Sequence, residues 1–234
     1  MSAPVLSVNV FDPEHGLNVS ARSGATLLFD GSGSRVLAEG PRIEAAGEGW
    51  HAELDGELAV DLEPVAPAAE LDGVTARLCA VTGEIGGRRV SCLGTVAETH
   101  EPPSWDELDA VRAISALFDR DHAFVALSRR PRGAMGHDAE RTVAWLLHDG
   151  EPLSIEDARI STVYDGEGRQ RSASLELWIA GHDFPLRGSG TVVAGSSLAL
   201  EGIDVHAAVF RWRMEDREGA GSYELMARSA AEAA

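Results

Sequence analysis

"ARISTVYDGEGRQRSASLELWIAGHDFPLRG", residues 158–188, decides the fold. Its side chains change character every second position. Leu175, Leu177 and Ile179 fall on one face and Glu176 and Trp178 on the other, the period-two pattern of a strand with one face buried. Asp165-Gly166 and Gly181-His182-Asp183 interrupt the pattern with residues suited to tight turns, so the stretch reads as successive hairpin strands.

The same rhythm extends in both directions. Downstream, "GTVVAGSSLALEGIDVHAAVFRWRM" (190–214) and "GSYELMAR" (221–228) continue it. Upstream, "TVAWLLHDGEPL" (142–153) folds back at Asp149-Gly150. In "HAAVFRWRM", Phe210, Trp212 and Met214 alternate with Arg211 and Arg213, and the arginines are expected to face solvent. Nearer the N-terminus, Val5 to Phe11, Ala25 to Phe29, Trp50 to Leu54 and Leu58 to Leu62 read as strands between "DGSGS", "AAGEG" and "DGE" turns. "VTARLCAV" and "VSCLGTVA" form a hairpin about Gly86-Gly87, which carries Cys79 and Cys92 as two reduced thiols. About twelve to fourteen strands follow from this pattern, a mainly β, antiparallel barrel of two halves. The Pro-rich "EPVAPAAE" at 63–70 is the best break, dividing a half at 1–72 from one at 73–234.

One segment departs from period two. "SWDELDAVRAISALFD" (104–119) follows Pro102-Pro103 and opens with Ser104 three residues before Glu107, the spacing of a capping box. Leu108, Val111, Ile114, Leu117 and Phe118 recur at three- and four-residue steps. This spacing predicts an amphipathic helix over 104–118.

Composition narrows the function classes. The net charge of −18 is divided equally between residues 1–100 and 101–234, and such a field repels nucleic acid and anionic membrane surfaces. All 20 basic residues are arginine, which excludes Schiff-base lysine chemistry and a phosphate-loop lysine. The nucleophile elbow, the dinucleotide glycine fingerprint, the H-E-x-x-H zinc motif and paired C-x-x-C are all absent, so no cofactor is expected. With no signal-peptide pattern and no long apolar run, the expected location is the cytoplasm, with no membrane span.

Three places carry candidate chemistry. In "ETHE", carboxylates Glu98 and Glu101 flank His100 and would favour its protonated form, as acid work requires; the alternative is a solvated strand end. In "SRRPRGAMGHDAERT" (128–142), Arg129 and Arg130 offer forked donors for an acidic group. His137 and Glu140 there form a His-x-x-Glu pair, and the alternative is a loop that neutralises its acidic neighbours. The mixed face of Glu176 and Trp178 lines either a cavity or the surface, and Trp145 and Tyr164 belong either to a cavity wall or to the core.

The order of "GEIGGRRVSCLGTVAETHE", "ISALFDRDHAFVALSRRPRGAMGHDAERTVAWLL", "ISTVYDGEGRQRSASLEL" and "GAGSYELMAR", spanning residues 75–228, resembles the lipocalin-like superfamily of carotenoid 1,2-hydratase (hydroxyneurosporene synthase) and AttH-like proteins, with uncharacterised actinobacterial relatives. The resemblance implies two lipocalin-like barrel halves around apolar cavities. It also implies cofactor-free protonation of an isoprenoid double bond followed by addition of water, with His100 as the acid or its orienting partner. The chain departs from the Arg-Asp-His-Ser-Trp-Gly type motif of those relatives. At Glu98-Thr99-His100-Glu101 only the histidine matches.

The expectations are therefore two. One is a cofactor-free hydratase or cyclase on a lipophilic substrate (isoprenoid, steroid-like or fatty-acyl), using His100, Glu98, Glu101 and His137. The other is a carrier of such a molecule, with Arg129 and Arg130 on its head group. A purely structural β-protein is the bland third possibility.

Overall fold

The computed structural model describes residues 3–134, 139–200 and 202–229. They are all-β, in two units that divide near Glu101/Pro102. The break expected at 72/73 coincides with a tight turn inside the first unit, between two strands of one sheet.

Unit 1 holds β1 (Val5–Asp12), β2 (Leu17–Arg22), β3 (Ala25–Asp30), β4 (Gly33–Leu37), β5 (Arg42–Ala46), β6 (Gly49–Leu54), β7 (Leu58–Pro64), β8 (Ala69–Leu71), β9 (Val74–Ile85) and β10 (Arg88–Thr99). They make one antiparallel half-barrel sheet, ordered β4-β3-β2-β1-β10-β9-β7-β6-β5, with β8 on β9. The concave side is aliphatic: Val8, Val10, Val19, Val60, Leu62, Val81 and Val96 are buried together. Cys79 lies within this core, and Cys92, two pairs along the β9–β10 ladder, packs against it. Both thiols are free, and burial pushes each up to about 12, which leaves them unreactive near neutrality.

Unit 2 holds β11 (Leu108–Leu117), β12 (Ala123–Pro131), β13 (Arg141–His148), β14 (Glu151–Leu153), β15 (Ile155–Tyr164), β16 (Gln170–Ile179), β17 (Leu186–Leu200), β18 (Ile203–Met214) and β19 (Arg217–Arg228). Their order is β14-β13-β12-β11-β19-β18-β17-β16-β15. β13 comes alongside β15, so the nine strands nearly close into a barrel. The 158–188 stretch supplies β15, β16 and the start of β17, paired as hairpin neighbours.

The inside of unit 2 is aromatic. Phe124, Phe210, Trp212 and Tyr223 are fully buried, and Trp212 meets Phe124 edge-on at 5.1 Å and Phe210 nearly stacked at 5.5 Å. Two glycines on β17 make room for these rings. A Cβ at Gly190 would lie 2.7–2.9 Å from Trp212 and Phe210, and one at Gly188 would lie 3.2 Å from Phe124. Arg211 and Arg213 point away from this core, as their alternation predicts.

No α-helix occurs among the described residues, and the expected helix at 104–118 is instead a turn followed by strand β11. Ser104 does nucleate a turn, its carbonyl accepting from the amides of Glu107 and Leu108, but the chain then runs straight between β12 and β19. The reason lies in burial. From Ala110 to Leu117 nearly every residue is buried on both faces, and a strand of that kind is apolar almost throughout. Apolar residues then fall at helical steps as readily as at alternate ones. The nineteen strands among the described residues also exceed the expected twelve to fourteen, because short strands such as β4, β5, β8 and β14 carry little hydrophobic pattern.

Candidate functional site

The inner face of unit 2 changes character along its strands. On β11, Ile114 and Ala116 face the aromatic core, and two residues back on the same face stands Arg112, which is 4% exposed. On β12, Phe124 and Ala126 give way to Ser128 and then Arg130; on β15, Ala158 and Ile160 give way to Thr162 and Tyr164. One end of the barrel interior is therefore apolar and the other polar.

The polar side chains are wired together. Arg112 forms an ion pair with Glu140, whose side chain is equally buried. Glu140 also accepts from Ser128 Oγ at 3.0 Å, and Ser128 Oγ accepts from Thr142 at 3.1 Å. On the other side Arg112 Nη1 reaches Thr162 Oγ1 at 3.4 Å, and Thr162 shares a 2.6 Å hydrogen bond with Tyr223. Burial pushes the Tyr223 phenol up to about 12, against the pull of Arg112, so it stays a neutral donor. Gln170 is buried nearby and donates to the carbonyls of His206 and Tyr223. Arg112 Nε, also buried, has no hydrogen-bond partner among the described residues.

A buried ion pair is costly to desolvate, and well-packed apolar residues of similar volume often stabilise more. Keeping Arg112 and Glu140 here sets a buried polar cluster beside an otherwise apolar core.

The sequence-derived candidates do not form one cluster. His100, Glu98 and Glu101 lie in unit 1. His100 is exposed, and neither glutamate touches its ring. Its Nε2 lies 3.1 Å from Thr75 Oγ1, which in turn donates to Glu70 at 2.8 Å. Since the hydroxyl proton goes to Glu70, Nε2 carries the imidazole proton. Glu98 is paired with Arg77, whose guanidinium lies over Trp50. The remaining candidates belong to unit 2, apart from His137, which lies outside the described residues.

Within unit 2, Arg129 and Arg130 are adjacent on β12 and so point to opposite faces. Arg130 follows Ser128 on the inner face; Arg129 is opposite Arg141 on the outer one. Trp145 likewise lies on the outer face, between core-facing Ala144 and Leu146. Glu176 and Trp178 also lie away from the core, and Glu176 is paired with Arg187 at 3.0 Å. Trp178 Nε1 is buried without a hydrogen-bond partner among the described residues. Tyr164 is on the Thr162 side, close enough for its charge to raise Tyr223. Past Pro131 the arginine-rich arm is pinned to the turn before β11: Arg132 N donates to Glu107 O, and Gly133 N to Asp109 at 2.8 Å.

The outer face of β15–β18 carries an open groove of about 550 Å3 lined by Ser161, Ser172, Ser174, Thr191, Arg211 and Arg213. Its hydroxyls face solvent, and Arg213 is paired with Glu218.

The fold, a half-barrel sheet and a nearly closed barrel sheet, is similar to that of two solved structures. The structure matches a protein of Nitrosomonas europaea provisionally named AttH, with a TM-score of 0.63 at 10% identity, covering 95% of this chain and 90% of that one. It also matches kievitone hydratase from Nectria haematococca, with a TM-score of 0.54 at 9% identity, covering 98% and 89%. At these identities the likeness is one of fold. No protein-family model and no curated protein matches the sequence. No helix among the described residues is long and apolar enough to cross a membrane.

Proposed function

We propose that the chain binds a lipophilic small molecule in the barrel of unit 2, with the ligand's polar end against Arg112, Tyr223 and Thr162 and its apolar body toward the aromatic core. The observation that carries this reading is the buried Arg112–Glu140 pair, with an unpartnered Arg112 Nε, at one end of an otherwise apolar interior. Arg130, on the same face one step beyond Ser128, steers an acidic head group into place; Arg129, on the opposite face, does not. The chain carries out this role in the cytoplasm, a location that suits its two free thiols, one buried and one half-buried.

Hydration of the bound ligand is the second reading. It draws on the fold shared with kievitone hydratase and on a proton-bearing group, the Tyr223 phenol, hydrogen-bonded to Thr162 within the polar cluster. A phenol held near 12 is a better hydrogen-bond donor than acid, so binding takes precedence over turnover.

Native mass spectrometry of the purified chain tests binding: a co-purified lipophile is expected. Arg130→Ala should weaken a fatty acid more than its methyl ester, and Arg129→Ala should leave the ratio unchanged. Equal loss of both ligands in Arg130→Ala would remove the head-group contact. Incubation with isoprenoid alkenes in isotopically labelled water tests hydration. Uptake of one labelled water, lost in Tyr223→Phe while binding persists, would favour the enzyme.

A further inference from the structure

At the apolar end of unit 2, opposite the polar cluster, three turns converge. His122 precedes β12 and is 6% exposed. His148 ends β13, and Asp149 opens the two-residue turn that follows it. Glu215 occupies the corresponding place in the β18–β19 turn. His122 Nε2 lies 2.9 Å from Asp149 Oδ1, and His148 Nδ1 lies 3.4 Å from Asp149 Oδ2. One ligand atom from each of the three residues fits within 4.8 Å of the other two. Tetrahedral ligands on bonds of about 2.0–2.2 Å stand roughly 3.3 Å apart, so the three need only small side-chain rotations to share an ion. The two imidazole rings already meet at a steep angle, centroids 5.3 Å apart.

A second observation points the same way. His148 Nε2, the nitrogen turned from Asp149, lies 3.5 Å from Glu215 Oε2, itself 3.4 Å from Arg217 Nη1. A metal-bound histidine characteristically gives its other N–H to a carboxylate, which fixes the ring and raises its basicity. Glu215 is in place for that contact. Arg217 Nη1 donates to the same Glu215 oxygen at 3.4 Å.

We propose that His122, His148 and Asp149 form a binding site for a divalent transition-metal ion of the zinc class, with Glu215 orienting His148. Two imidazoles and one carboxylate suit such an ion and are too nitrogen-rich for magnesium or calcium. The fourth position is open to water or a ligand group. The bound ion clamps the β11–β12 turn to the β13–β14 turn and closes the apolar end of the barrel, independently of the lipophile site at the other end.

The test uses the full chain after chelator treatment, titrated with zinc chloride by calorimetry and with cobalt(II) by visible absorption. One ion per chain is expected, with a d–d band typical of nitrogen and oxygen ligands. His148→Ala and Asp149→Asn, both at positions more exposed than His122, should each weaken binding at least tenfold, and Glu215→Gln about tenfold. His51→Ala should change nothing, although His51 also lies 2.7 Å from a carboxylate, that of Asp61; this control separates a built site from surface histidines. Circular dichroism confirms that each variant is folded. Zinc affinity unchanged in His148→Ala and Asp149→Asn, absence of binding in the parent chain, or displacement of zinc by equimolar magnesium would each overturn the proposal.

Discussion

The two units curve the same kind of antiparallel sheet around different interiors. Unit 1 encloses valine and leucine, and its arginine–carboxylate pairs Arg77–Glu98 and Arg42–Glu53 lie at or near the surface, while the buried carboxylate of Asp12 lies beside exposed His15. Unit 2 encloses aromatic rings and sets a buried Arg112–Glu140 pair among them. An aliphatic half-barrel needs no buried ion to be stable, so the ions in unit 2 are the feature that folding alone does not call for. On the proposed reading, one sheet does scaffold work and the other holds the ligand.

The largest expected effect comes from breaking the pair that separates the two interiors. Arg112→Ala leaves Glu140 buried without its cation and should cost about 3–5 kcal/mol, whereas the exposed Arg42→Ala in unit 1 should change stability little. Urea unfolding measures both. The double variant Arg112→Met with Glu140→Leu should recover much of the loss, because an apolar replacement removes both desolvation costs. Recovery of stability together with loss of ligand binding would sharpen the contrast between folding and function; Arg112→Ala as mild as Arg42→Ala would erase it.

A smaller effect probes the aromatic packing. Gly190→Ala pushes a methyl group into Trp212 and Phe210 at 2.7–2.9 Å, and overpacking of this kind costs about 1–3 kcal/mol. Gly188→Ala, against the edge of Phe124 at 3.2 Å, should cost less. Thermal melts of the two variants measure the order, and equal melting temperatures would mean that the rings have room to move.

Much of this architecture was legible in the sequence. Alternation in 158–188 gave the hairpins of β15, β16 and β17, and Asp149-Gly150 and Gly181 fell at turns. The site was less legible, for a single physical reason. Read as a helix, 104–118 carries Arg112 on a solvated polar face. Read as a strand, it aligns Arg112 with Ile114 and Ala116 and turns the arginine inward. A strand covered on both faces erases the alternation that would distinguish the two. Glu140 was visible only as a neighbour of His137, because its partner lies 28 residues earlier, on β11. Tyr223 sits in "GSYELMAR" with nothing local to mark its hydroxyl, and the His122–His148–Asp149 cluster is assembled by the barrel's register, which brings together turns that are distant in sequence.

The smallest effect is silent at neutral pH and tests the environment of the polar cluster directly. The chain has two tyrosines, so Tyr164→Phe leaves Tyr223 as the sole phenol, and its ionisation can be followed by ultraviolet absorbance. Burial raises Tyr223 to about 12 when folded, against about 10 for a tyrosine in an unfolded chain. The folded form therefore holds its proton over a range where the unfolded form releases it. Tyr223 leaves stability unchanged below about pH 10 and lowers it as pH rises from about 10 through about 12. The expected absorbance midpoint lies near 12, with Tyr223→Phe flattening the fall in stability over the same window. A midpoint near 10 would place the hydroxyl in water, and a donor already satisfied by solvent could not hold the polar end of a lipophile.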